Sequence, residues 1–185
     1  MNLDEMRFDS AYKQKKGLHF ILASVFIWTA VFIVHLTDLP ILTKNLLTFC
    51  FTAPLLPLAF AISKLIRVDF TSKGNPLNNL GVLFSLNQML YLLIAMWAYS
   101  AVPEKMAMVL AMIFGAHLLP FGWLYQSKSY MALSVIIPIA ALLVGVNFPP
   151  SVVAGLMIGV EIVFSLLLAL EVKNLSNIDP AIRNA

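Results

Sequence analysis

The chain has 185 residues, of which 61% are hydrophobic and 11% charged, and a formal net charge of +3. Charged residues make up roughly a quarter of an ordinary soluble domain, so this composition excludes one and predicts an all-α polytopic membrane protein. The positive charge does not indicate nucleic acid as a partner, because the basic residues sit at the ends of apolar segments with no aromatic platform between them.

Residues 1–16 mix Asp4, Glu5 and Asp9 with Arg7, Lys13, Lys15 and Lys16. They read as a solvated or interfacial tail that is helical in part at most. The uncharged stretch from Leu18 to Val34 is longer than the roughly 7–15 residues of a signal-peptide core and lacks a small-x-small cleavage site, so span one, 17–36, is expected to be retained. Thr37-Asp38-Leu39-Pro40 turns the chain into span two, 41–66, which holds Pro54 and Pro57. A connection with Asp69, Lys73, Gly74, Asn75 and Pro76 leads to span three, 77–100. Pro103 and Glu104 suit the first turn of span four, 104–125. Span five covers 129–146 with Pro138 inside it, and Asn147-Phe148-Pro149-Pro150 separates it from span six, 149–172. A polar tail, 173–185, follows. At about 20 residues a span, this bundle of six transmembrane helices leaves no room for a separate soluble catalytic module.

Arg7, Lys13, Lys15, Lys16, Lys64, Arg67, Lys73, Lys128, Lys173 and Arg183 fall on one side of this topology, and Lys44 and Lys105 on the other. Positive residues of short loops stay in the cytoplasm, which predicts that both termini are cytoplasmic. Trp97 and Tyr99 near the outer boundary, and Trp123, Tyr125 and Tyr130 near the inner one, fit the aromatic belts of a bilayer. The single cysteine, Cys50, cannot build a disulfide or a thiolate metal site within one chain and is expected to be a small buried thiol. His19 reads as interfacial and His35 as an outer-surface residue near Asp38. They lie about 24 Å apart by helical rise and cannot share a metal. No cofactor or metal site is expected.

Glu161 is the one acid near the middle of an apolar segment, where a carboxyl group normally has a partner, a proton or a job. His117 in span four and Asn87-Gln88 in span three come to a similar depth at about 1.5 Å per residue. These groups can satisfy one another, since a carboxylate accepts and an amide or imidazole does both. Gly81, Ser85, Gln88, Tyr91, Ala95 and Tyr99 form a stripe at helical spacing, which adds Tyr91 to the candidate site of Glu161, His117, Gln88 and Asn87. Pro120 frees the Ala116 carbonyl beside His117 and predicts a kink. A carbonyl partner gives His117 a complete structural account, and amides such as Asn87 and Gln88 commonly glue membrane helices together. Ser151, Gly155 and Gly159 form a small-residue ridge suited to close helix approach, and Gly155 and Gly159 can serve a homo-oligomer as readily as an internal contact. Overlaying spans one to three on four to six pairs the proline-bearing spans two and five, and Gln88 with Glu161. That is the outline of an inverted repeat without residue-level similarity.

Lys16-Gly17-Leu18, Lys44-Asn45-Leu46-Leu47, Gly74-Asn75-Pro76-Leu77, Asn87-Gln88 and the run Gly115-Ala116-His117-Leu118-Leu119-Pro120-Phe121-Gly122-Trp123 together resemble a small multi-pass membrane family of Bacillus-like bacteria, a domain of unknown function. The resemblance covers nearly the whole chain. It implies a bacterial inner-membrane protein and supplies no activity or catalytic residue.

Three functions fit the residues. The first is a small transporter or permeation protein for a small molecule or lipid ligand, with Glu161 carrying a proton or cation, His117 as its titratable neighbour and Gln88 orienting the substrate. The second is a binding or scaffold protein in the lipid bilayer whose polar cluster is structural. The third is an intramembrane enzyme acting on a lipid, and against it no nucleophile elbow, two-histidine zinc helix or aspartate-rich motif is present.

Overall fold

The computed structural model describes residues 1–69 and 74–177, and all regular structure among them is helical. The helices are α1 (Leu3–Lys13), α2 (Leu18–His35), α3 (Ile41–Thr52), α4 (Leu55–Leu65), α5 (Leu77–Ala101), α6 (Met106–Ala116), α7 (Leu118–Leu124), α8 (Lys128–Asn147) and α9 (Pro150–Asn177). Lys73, Arg183 and the tail beyond residue 177 lie outside the described residues.

Five stretches are long and apolar enough to cross a membrane: Lys15–His35, Leu77–Ala101, Pro103–Leu124, Lys128–Asn147 and Pro150–Leu175. The pair α3 and α4 makes a sixth if its two halves count as one span bent by 41°. The bend falls at Ala53-Pro54, where proline lacks the N–H that would continue the ladder. Pro57 lies in the first turn of α4, where that missing N–H has no helical partner in any case. Pro138 leaves α8 one continuous helix, whereas α6 and α7 part at His117, as Pro120 predicts.

α2 packs most extensively against α9, and α6 against α8. α9 also touches α6 and α8, α3 and α4 lie against α2, and α5 lies outside α6 and α7. α2 therefore packs on α3, α4 and α9, and α6 on α8 and α5. Gln88 and Glu161, paired by the overlay of the two halves, differ in burial: Gln88 is half-buried and Glu161 buried. Glycine lets α6 and α8 approach closely: a Cβ on Gly115 would come within 2.5 Å of Pro138 Cδ and 2.7 Å of Ile137 Cβ. Neither atom can swing aside. Gly115→Ala is expected to cost about 1–3 kcal/mol by overpacking, read as a lower melting temperature.

Several expectations are corrected. Residues 1–16 are not a partly helical tail, because α1 is a full helix whose Asn2 and Glu5 form a reciprocal capping box. Its Ser10 and Ala11 are buried. Cys50 is exposed on α3 rather than buried. His19 and His35 are both buried, so His35 is not a surface residue. Thr48 Oγ1 lies 3.3 Å from His35 Nε2. Trp97 and Trp123 are exposed, whereas Tyr125 and Tyr130 are buried and join Phe121 and Phe164 in an aromatic cluster. The Gly155 and Gly159 ridge makes no close helix contact, since a Cβ on Gly155 would meet only the Phe32 ring at 3.4 Å and one on Gly159 nothing within 4 Å. It lies instead along an apolar groove with Leu133, Val160 and Val163.

Candidate functional site around Glu161

Glu161 is 0% exposed, one of the largest side chains that the fold buries completely. It sits on the α9 face turned towards α2, where Ser24 Oγ lies 2.6 Å from its Oε2. The same hydroxyl lies 2.7 Å from the Ile21 carbonyl of its own helix. A serine hydroxyl has one hydrogen, and two oxygens compete for it. Both contacts are satisfied together when the carboxyl group brings a hydrogen of its own, donating to Ser24 while Ser24 donates to Ile21. Oε1 has no hydrogen-bond partner among the described residues. A buried polar atom left so is costly, and such an atom has a reason to exchange partners.

The cluster expected from the sequence does not form. His117 contacts the carbonyl of Phe114 through Nδ1 and packs edge-on against the Phe114 and Phe121 rings. Asn87 donates from Nδ2 to Tyr91 Oη at 3.0 Å, one turn away on the exposed face of α5. Gln88 is half-buried on the face towards α6 and α7. Phe84 meets Phe121 edge-on, so Gln88 and His117, each about 6 Å further along antiparallel helices, stand at one level. No hydrogen bond joins them to each other or to Glu161. The physical reason is positional: α5 packs on α6 and α7 rather than on α9, so its polar groups do not reach the acid.

Ser24 is the residue that sequence reading misses. Its signal is slight, a hydroxyl in the middle of an apolar helix at the depth of Glu161. Glu171 is the other. It lies ten residues beyond Glu161 on the same helix and accepts from Lys16 Nζ at 2.7 Å, from Ser129 Oγ at 2.6 Å and from the Ser129 amide at 3.0 Å. The Lys16–Glu171 and Ser24–Glu161 contacts are thus two rungs up α9, one to the turn before α2 and one to α2 itself, the first charged and the second a hydroxyl and an acid.

A collar closes the end of the bundle beyond these rungs. Arg7 donates to the Trp123 carbonyl through Nε at 3.0 Å and Nη2 at 2.6 Å, with its guanidinium 4.6 Å over the Trp123 ring. Lys15 Nζ donates to the Ile66 carbonyl at 2.6 Å, and Tyr125 Oη to Gln14 Oε1 at 2.6 Å. Asn75 Nδ2 donates to the Met6 carbonyl at 2.6 Å. α1 and the turn after it, in which Lys15, Lys16 and Gly17 have positive φ, are therefore tied to the ends of α4 and α7 and the start of α5. At the opposite end Lys44 Nζ donates to the His35 carbonyl at 3.3 Å, and Lys105 Nζ to those of Gly145 and Val146 at 2.7 and 3.0 Å. Both lysines cap helix C-termini, where the dipole favours a cation.

No group of three or more histidine, cysteine or acidic side chains suited to a metal occurs among the described residues. The class defined by these features is a bundle of apolar helices compatible with a multi-pass membrane protein, with one acid enclosed in its core. The chain belongs to the family of unknown function DUF7010, which it matches over residues 3–171. No curated protein and no solved structure matches it.

Proposed function

We propose that the chain spans a bacterial cytoplasmic membrane six times with both termini in the cytoplasm, and acts as a small transporter or permeation protein in which Glu161 carries a proton or cation. Six crossings are supported by the bent pair, since Asn45 of α3 donates to the Pro103 carbonyl at 2.8 Å at one end of the bundle while Ile66, just past α4, accepts from Lys15 at the other. The sidedness is supported by charge. Arg7, Lys15 and Lys16 make their contacts at one end, and the lysines of the opposite end are engaged with helix carbonyls.

The observation that carries the transport reading is the unmatched Oε1 of an enclosed acid between the two most extensively packed helices. A carboxyl group that served only as a pin gains nothing from an oxygen with no donor, whereas a carrier needs one that takes and gives up a proton or cation as access alternates. Of the sequence-derived partners, none is retained at this site; Ser24 replaces His117, Gln88, Asn87 and Tyr91. The scaffold reading is favoured by one fact, that the Ser24 contact ties α2 to α9. The enzyme reading needs His117 beside Glu161, and the two are not hydrogen-bonded.

Reconstitution tests the choice. Liposomes holding a pH-sensitive dye and the wild-type protein are expected to dissipate an imposed pH gradient faster than empty ones, with or without a monovalent cation gradient. Equal rates with and without protein under all such gradients would leave the scaffold reading in its place.

A further inference from the structure

α5 turns most of its surface outwards. Leu83, Asn87, Leu90, Ile94 and Trp97 recur along it in steps of four, three, four and three. That is the seam spacing of a left-handed helix pair. The four apolar members are 51–64% exposed, and Asn87 is exposed with them. Asn87 is the eleventh of the 25 residues of α5, near mid-bilayer, where an amide facing lipid is costly.

The hydrogen bond within the helix does not settle that cost. Asn87 Nδ2 donates to Tyr91 Oη, which leaves the Tyr91 hydroxyl hydrogen, the second amide hydrogen and the Asn87 carbonyl oxygen without partners among the described residues. The set is self-complementary. Two copies related by an axis along the membrane normal bring Asn87 opposite Asn87, and each tyrosine hydroxyl can then donate to the other copy's Oδ1. A two-fold contact of this kind is isologous, so the hydroxyl-to-Oδ1 bond forms twice, and the second lone pair of each Oδ1 is left for the other copy's amide hydrogen.

From the seam spacing and this self-complementary amide, we infer that the protein is a parallel homodimer through α5, with Asn87 and Tyr91 bonded across the two-fold axis. The apolar members supply the packing, and the amide fixes the register. This inference does not depend on the transport reading.

Disulfide trapping in lipid nanodiscs tests it, in a Cys50→Ser background that removes the native thiol. Leu90→Cys and Ile94→Cys are expected to cross-link under mild oxidation into a product of twice the chain mass. Met89→Cys, equally exposed but about 120° round the helix from the seam, is expected to stay monomeric. Asn87→Leu is expected to keep the wild-type melting temperature while weakening self-association about ten-fold, the scale of an interhelical hydrogen bond in lipid. Equal yields at all three cysteine positions, a product of any other mass, or a wild-type protein that is monomeric by native mass spectrometry would each overturn the proposal. So would a dimer indifferent to Asn87→Leu.

Discussion

Glu161→Gln is expected to leave the bundle folded with a melting temperature close to that of the wild type, and to abolish pH-dependent flux in proteoliposomes. The amide has the shape of the acid, and its nitrogen can donate to Ser24 Oγ where the acid's proton would, so Ser24 still donates to the Ile21 carbonyl. What the amide lacks is a proton it can release. Ser24→Ala makes the complementary test, because it takes the acceptor from the carboxyl hydrogen of a fully buried acid whose other oxygen already has no partner among the described residues. It is expected to cost about 1–3 kcal/mol, more than Glu161→Gln does. Thermal unfolding of the two variants side by side reads this order, and the reverse order would mean that Ser24 is not what satisfies the carboxyl group.

The largest loss of stability is expected from Glu171→Ala. The Lys16 side chain is 6% exposed and that of Glu171 22%, so removing the acid strands an enclosed ammonium group whose next contact is the Gln126 carbonyl at 3.4 Å. Ser129 also loses the acceptor for both its amide and its hydroxyl. Breaking such a pair from one side costs about 3 kcal/mol, because the remaining charge stays out of water. The effect should be local. Hydrogen exchange is expected to accelerate across α1, the turn at residues 15–17 and the Ser129 amide, while the amides of α6 and of α8 beyond its first turn keep their protection. Uniform acceleration would show that the collar is not a separate unit.

Much of this architecture is written plainly in the chain. Spans of about 20 apolar residues set helix length, and proline sets the breaks at Pro54 and before Pro120, because both follow from local chemistry. The capping box of α1 is legible in the same way, as an asparagine three residues before a glutamate at Asn2 and Glu5. The burial of Glu161 follows from the cost of exposing an acid to lipid. Its partner does not follow. Polar residues lie on two faces of α5, Gln88 towards α6 and α7 and Asn87 outwards, and the sequence of one helix does not say which face meets which neighbour. Ser24 and Glu161 stand 137 positions apart, and only the packing of α2 against α9 makes them adjacent. His35 and Cys50 exchange expected places for the same reason, since a helix fixes depth while rotation decides exposure.

The most direct measurement is labelling by a hydrophobic carbodiimide, which adds to the protonated form of a carboxyl group within reach of an apolar reagent. The adduct is located by peptide mass spectrometry on protein in lipid vesicles. A protonated, exchanging Glu161 predicts an adduct at that residue, slower labelling as the pH is raised, and none in Glu161→Gln. An unmodified Glu161 at every pH, in protein whose other acids react, would contradict the account, leaving the acid a sealed pin between α2 and α9.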